Sequence, residues 1–466
     1  MLLIGACKSS EEQQNPEFIV LKGATVFDGT GKSIEQCNII IKGGKIQSIG
    51  GKELDIPDNA QIIDVNGKFI TPGLVDAHVH FFQSGFFDSR PDAGDLRDSI
   101  SYIEVQAYQR NNPERYYEAY LRSGITAVYD VGGFNWSIDL QKTAENNLNA
   151  THVAAAGALL TPASIQRIST FNTPNEKVMQ HLASEELGRS VVQEISLIGS
   201  TGIKIWGMSP NDPEFIKKIE AVVDEVNKQG NTLIVHATAL DQAKLALRLG
   251  TALLVHSVTD KVIDEEFINL IKANNTIYTP TLIVSRGYYN AYRAIAGESM
   301  TLNDPNGAVD EKTRSLIEGA ERFKKFFDGQ LETRISRSES NLPQRDSVMS
   351  INLKKLYDNG VTIAVGTDAG NPGTLHGISI YDEMEAMQNT GISANDLIVM
   401  ATKNGAMAMN RIEDFGTLEK NKMADLIILD RDPSKDISNM RSITHVMRGG
   451  LIRPVNEPFR KMSNKR

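Results

Sequence analysis

Two histidines one residue apart, His78 and His80, stand in the stretch Val75-Asp76-Ala77-His78-Val79-His80. The stretch follows Ile70-Thr71-Pro72-Gly73, a turn signal, and has the apolar composition of a buried strand. Strand residues two apart share a face, so both imidazoles aim together with Val79 turned away. Such a pair is the start of a metal site or a pair of hydrogen-bonded core histidines. Further ionisable residues stand at or near the ends of other apolar runs. They are Lys204 in Gly202-Ile203-Lys204-Ile205-Trp206, His236 after Leu233-Ile234-Val235, His256 after Leu253-Leu254-Val255, and Asp368 after Ala364-Val365-Gly366-Thr367. Each alone has a structural explanation: a core histidine bonded to backbone, an aspartate capping a helix, a lysine reaching to solvent. Burying a charge without a partner is costly, so their recurrence at the ends of five apolar runs points to a shared site.

Weaker candidates surround this set. His376 follows the loop Gly370-Asn371-Pro372-Gly373-Thr374-Leu375 and reads as a pocket residue that contacts substrate or orients Asp368, or else as a tie that holds the loop down. Tyr278 and Thr281 lie near another strand end and are pocket candidates. Trp206 reads as core packing. His152 begins a strand at the far end from the site, His181 lies in a polar segment read as helical, and His445 lies near the C-terminus; none of the three is assigned a function.

The elements that must position these residues alternate. Apolar runs at 74–80, 125–131, 152–160, 202–207, 232–238, 252–258, 276–282 and 362–368 read as strands, with helical patterns between most of them. The clearest helix is Pro213 to Gln229, with Asp212 as cap, Phe215, Ile219, Val222, Val223 and Val226 as buried stripe, and Gly230 as stop. Eight β/α repeats predict an α/β chain built on a (β/α)8 barrel, in which strand ends converge on one face. A doubly wound open sheet is the alternative. Two connections, Thr161 to Gly199 and Ser285 to Gly360, are long enough to shape or cover a pocket. The second carries Leu316, Ala320, Phe323, Phe327 and Leu331 at helical spacing, read as core. Short strands with turns fill both chain ends, including a hairpin signal at Gly43-Gly44. The expected division is a tether at 1–17, a small β-sandwich domain from 18–72 plus 412–455, and a barrel from 73–411.

Composition narrows the classes. Of 466 residues, 41% are hydrophobic and 23% charged, as in ordinary globular proteins. The net charge of −9, without a basic cluster interleaved with aromatics, argues against nucleic acid as a partner. The two cysteines, Cys7 and Cys37, exclude a disulfide framework and cysteine-based zinc sites, so a metal must take His and carboxylate-type ligands. Ile4-Gly5-Ala6-Cys7 resembles a lipobox, and Lys8 to Asn15 is a polar tether. The expectation is a cell-envelope lipoprotein, periplasmic or at the surface, anchored at Cys7; the alternative is a cytoplasmic protein with a frayed N-terminus.

The set His78, His80, Lys204, His236, His256 and Asp368 resembles the ligand set of the amidohydrolase superfamily of metal-dependent hydrolases. The resemblance runs from about Gly23 to Arg448, with Gly23 to Gly31 and Gly416 to Leu426 similar to its terminal β segments. Gly366-Thr367-Asp368-Ala369-Gly370 and His376-Gly377 are most similar to the imidazolonepropionase-related and Xaa-Pro dipeptidase-like branch. This resemblance implies that His78, His80 and Asp368 bind one divalent metal, that His236 and His256 bind a second, and that Lys204 bridges both as a carboxylated lysine. A buried lysine with a lowered pKa has the neutral amine that can add carbon dioxide. The donors suit zinc. The implied activity is hydrolysis of a non-peptide or dipeptide C–N amide bond in a small molecule by metal-activated hydroxide, with Asp368 as general base and then general acid. Hydrolysis of a cyclic amide, lactone or phosphoester, or deamination, is the alternative on the same scaffold; a non-catalytic binding protein is a distant one. Members of the branch often carry Arg where Tyr129 stands, so their substrates do not transfer directly.

Overall fold

The computed structural model describes residues 17–459 apart from Asp328. Ile4 to Cys7 and the tether behind them lie outside these described residues. Both ends of the described chain build one eight-stranded sheet. Phe18–Phe27, Ser33–Lys42, Lys45–Gly50, Ala60–Asp64 and Phe69–Pro72 come from the first part of the chain, and Leu426–Leu429, Ile443–Arg448 and Leu451–Pro454 from the last. The seam is the antiparallel pair of Phe69–Pro72 with Leu426–Leu429. Gly43 and Gly44, at φ +57° and +78°, make the tight turn between the second and third strands. The expected sandwich is instead one continuous hydrogen-bonded sheet. It curls, because Lys45–Gly50 reaches the segment before Leu426: Ile46 N donates to Lys422 O at 2.9 Å and Ala424 N to Gly44 O at 2.9 Å. Ile39, Ile41 and Ile46 thereby share a core with Leu426, Ile428 and Met447.

Between these ends the chain is mixed α/β. Leu74–Val79, Ile125–Asp130 and His152–Ala155 form a parallel three-stranded sheet. Met179–His181, Leu159–Thr161, Gly202–Trp206, Thr232–His236, Leu253–Val255 and Ile277–Thr279 form a parallel six-stranded one. Two expected strands differ. The run 152–160 breaks into two strands where Gly157 takes φ +73°. The run 362–368 forms no regular strand, because it meets neighbours on both sides only through single bridges. Ala364 N donates to Tyr278 O at 2.9 Å on one side, and on the other Ala77 N donates to Val365 O at 2.9 Å and Asp368 N to His78 O at 2.7 Å. That segment thus lies between the last strand of the larger sheet and the first strand of the smaller. Val75, Ala127, Ala154, Ile234, Val255 and Ala364 pack together from both sheets.

The helix Pro213–Gln229 forms as its sequence dictates. Asp212 accepts from the backbone of Glu214 and Phe215, the apolar stripe is buried, and Gly230 closes the helix at φ +72°. The long connections hold more structure than expected. His181 lies on the strand Met179–His181, not in a helix, because that segment pairs with Leu159–Thr161. The stripe from Leu316 to Leu331 is buried, but it runs over the helix Glu311–Glu318, the 3-10 helix Ala320–Phe327 and the start of the helix Leu331–Asp358, separated near Gly319 and Gly329.

Candidate metal centre

His78 and His80 share one face of Leu74–Val79 and its exit, as period-two geometry requires. Asp368 stands opposite. Its Oδ1 is 3.3 Å from His78 Nε2 and 3.0 Å from His80 Nε2. His256 Nδ1 is 3.9 Å from Asp368 Oδ2. The imidazole centroids are 4.8 Å apart for His78 and His256 and 4.3 Å for His256 and His236. His78, His256 and Asp368 each offer a ligand atom within 4.8 Å of the others. Lys204, 1% exposed, lines the same cavity with His80, His236, His256 and Asp368. The six residues singled out in the sequence therefore meet in one place.

Backbone and neighbours fix these groups. His256 and Asp368 adopt φ +73° and +60°, a conformation that residues with side chains rarely take and that turns both into the cavity at their strand ends. His80 Nδ1 donates to Gly132 O at 2.6 Å, which leaves Nε2 facing Asp368. His256 Nδ1 and Thr281 Oγ1 share a hydrogen bond of 2.8 Å. Asp76 ties the two chain segments together, accepting from Thr367 N at 3.0 Å and from Thr367 Oγ1 at 2.6 Å. Glu383, fully buried, accepts from Leu282 N at 2.8 Å and Ile283 N at 3.1 Å, and so holds the loop that carries Thr281.

Burial sets the charges. It pushes the Lys204 ammonium down to about 7 against the opposing pull of Asp368 and Asp130. It also lowers His78 and His256 well below the usual imidazole range and His236 to about 3, with Lys204 contributing to each. These three rings are neutral at physiological pH, the form that ligates a metal. Both ring nitrogens of His78 and Oδ1 of Asp368 are buried without a hydrogen-bond partner. They approach at ion-pair distance but without hydrogen-bond alignment, which fits donors facing a cation between them.

The weaker candidates separate. Thr281 lines the cavity and bonds His256. His376 does not line it: Nε2 donates to Gln83 O at 2.9 Å and Nδ1 accepts from Tyr120 OH at 2.5 Å, so both nitrogens are spent on tying the loop down. Tyr278 is likewise a buried strand residue outside the cavity lining, held in the sheet by the backbone of Thr362 and Ala364. Trp206 packs against the core cluster, as expected, and also lines the cavity, with the Arg167 guanidinium 5.1 Å from its ring. Tyr129 lies in the apolar cluster shared by both sheets, away from the lining. His152 sits at the opposite end, between Glu145 at 2.7 Å and Asp425 at 2.8 Å.

Residues not singled out in the sequence complete the wall: Arg90, Phe171, Tyr288, Arg345 and Asn371. Arg90, Phe171 and Asn371 come from loops, and Tyr288 and Arg345 from the helices Val284–Ala296 and Leu331–Asp358. Glu383 did carry a periodic signal, a carboxylate on the apolar stripe Ile380, Met384 and Met387. The cavity is about 220 Å³, a space for a small molecule.

Residues 69–453 match the family model described as amidohydrolase family. The chain belongs to the amidohydrolase family. Like other amidohydrolases it is a hydrolase acting on carbon–nitrogen bonds, and its metal dependence follows from the family. An imidazolonepropionase of Geobacillus sp. (strain WCH70) is 23% identical over 433 residues, 85% of this chain and 84% of that protein. A 5'-deoxyadenosine deaminase of Methanocaldococcus jannaschii is 23% identical over 410 residues, 85% of this chain and 83% of that protein. Among solved structures, a Xaa-Pro dipeptidase with bound methionine in its active site has a TM-score of 0.70 at 24% identity, covering 94% of this amidohydrolase and 100% of that chain. The ochratoxinase of A. niger has a TM-score of 0.66 at 18% identity, covering 94% of this chain and 95% of that one. These structural likenesses imply a TIM barrel with an additional domain.

Proposed function

We propose that this amidohydrolase is a binuclear enzyme that hydrolyses the amide bond of a small molecule, either a non-peptide amide or a dipeptide. The observation that carries this reading is the convergence of orphaned donors: the ring nitrogens of His78 and Oδ1 of Asp368 are buried without hydrogen-bond partners among the described residues, beside His80, His236, His256 and Lys204. His78, His80 and Asp368 would hold one divalent ion, His236 and His256 a second, with zinc suited to these donors. Lys204 would serve both as a carbamate. Its burial and lowered pKa support a neutral amine that adds carbon dioxide and releases a proton. When bound, the ions supply Lewis acidity that acidifies water and polarises a carbonyl.

The chain's own residues do the rest. Asp368 takes the proton of the attacking water on a carboxylate oxygen and returns it to the leaving nitrogen. His80, bonded to Gly132, and His256, bonded to Thr281, keep their rings in one orientation throughout. Phe82, Phe171 and Tyr288 supply apolar wall that limits water around the reacting bond. We further infer that residues 362–369 close the two parallel sheets into one barrel over 73–411, beside a β domain from 18–72 plus 412–455. The single bridges at Ile363 and Ala369 support closure. A cell-envelope location through Cys7 rests on the lipobox-like sequence alone.

The test is a hydrolysis screen of the metal-loaded protein with N-acyl amino acids, Xaa-Pro dipeptides, cyclic amides, lactones and phosphotriesters. Cleavage among the amides and dipeptides is expected. Cleavage confined to phosphotriesters would overturn the reaction class.

A further inference from the structure

The cavity wall holds an arginine, part-buried, whose Nε has no hydrogen-bond partner among the described residues. Arg345 lies on the helix Leu331–Asp358, within the long insertion, and reaches the cavity beside Tyr288 and Met349. Its sequence neighbour Asp346 makes its ion pair with Arg286 at 2.6 Å and acts on Arg345 only through its charge. Arg90, the other arginine on the wall, is already satisfied: Nε and Nη2 fork onto the Asp92 carboxylate at 2.8 Å each. The only carboxylate among the described lining residues is Asp368, committed to the histidine cluster.

A polar N–H buried without a partner is costly, so a ligand that meets the Arg345 Nε would recover that cost. The planar guanidinium fork matches one ligand shape best, a carboxylate or similar planar oxyanion. Arg345, Ser285 and Tyr288 continue into a neighbouring surface hollow that Arg337 also lines. An anion entering there meets one arginine and then the other, a path that raises its local concentration.

We propose that Arg345 binds a substrate carboxylate, so that the amide cleaved here is an N-acyl amino acid or dipeptide with a free acid. This rests on the C–N hydrolase reading above and narrows it. Asp368 and the histidines work on the scissile bond while Arg345 anchors the acid end. Uncharged amides lack that anchor, and the Arg345 Nε then gains no partner from the substrate.

The experiment pairs each of a set of N-acetyl amino acids and Xaa-Pro dipeptides with its C-terminal carboxamide, for wild type, Arg345→Met, Arg345→Gln and Arg345→Lys. Circular dichroism checks that each variant folds. Wild type should favour acids over carboxamides by about 100-fold in kcat/KM, and the uncharged variants should bring that ratio to within about threefold, the loss of one charge-assisted fork. Arg345→Lys should fall between, keeping the charge without the fork. A second readout, independent of turnover, is calorimetric binding of the same acids and carboxamides. If neither set is cleaved, the C–N reading fails on its own, and binding still decides Arg345: acids that bind wild type but not Arg345→Met uphold it. A wild type that prefers carboxamides, an equal loss on both sets, or acids that bind neither protein would overturn it.

Discussion

Asp368 answers two demands with one carboxylate. It faces His78 and His80 through Oδ1, and in the proposed reaction it carries the proton from water to the leaving nitrogen. Asp368→Asn keeps the shape and removes the base, so kcat should fall by at least about 100-fold, with the far-ultraviolet spectrum unchanged. Near-full turnover would remove Asp368 from the chemistry. Thr281 tests the support behind a ligand. Its hydroxyl is the partner of His256 Nδ1, and Thr281→Val should weaken metal binding by about 10- to 100-fold in a chelator competition, while Thr281→Ser keeps most of it. At this scale the sequence was legible where chemistry and periodicity coincide. His78, His80, Lys204, His236, His256 and Asp368 stood out because each is ionisable at the end of an apolar run. Arg90, Tyr288 and Arg345 did not, because their places on the wall are set by tertiary packing of loops and insertions. His376 and Tyr278 misled for the converse reason: nearness to a strand end in sequence does not fix which way a side chain faces.

At the scale of elements, the segment 362–369 is the one on which the site depends. It is read in the sequence as an ordinary strand, yet it pairs only through single bridges. Gly366 allows it to lie against the first strand: a Cβ there would stand 2.8 Å from His78 Cβ and 3.3 Å from Thr279 Cβ. Gly366→Ala should cost about 1–3 kcal/mol in chemical denaturation and lower bound metal at the same time, because the clash falls on a ligand. Glu383 holds the next loop, and burial pushes its carboxyl up to about 8. Between the ordinary glutamate value and about 8 the folded chain keeps a proton that the unfolded chain has released. The stability contributed at this position is therefore full at low pH and is lost as pH rises through that interval. The difference between wild type and Glu383→Gln should fall by about 1 kcal/mol per pH unit from about pH 5 to about pH 8 in urea titrations. A difference independent of pH would mean that Glu383 is ionised in the folded chain. The helix Pro213–Gln229 shows how far local signals go: cap, stripe and stop were all written in its own residues. The stripe from Leu316 to Leu331 shows their limit, since helical spacing marked its burial but not its interruption near Gly319 and Gly329.

For the whole molecule, alternation of apolar runs and helices made the α/β class legible, and the turn-rich ends foretold a sheet shared by both termini. That this sheet is continuous and curled could not be read, because it depends on one edge hairpin meeting residues 421–424, remote in sequence. The site has the same origin: its donors come from positions as far apart as His78 and Asp368 and gain meaning only when the strands bring them together. An unliganded cluster of buried donors is costly, so metal should stabilise the folded chain, and removing metal should lower Tm. The decisive measurement is the metal content of the purified protein after metal-replete growth, by elemental mass spectrometry, for wild type and for Lys204→Ala. Two equivalents per wild-type chain are expected, with loss of at least one in Lys204→Ala. Near-zero metal in wild type would contradict a metal-dependent hydrolase.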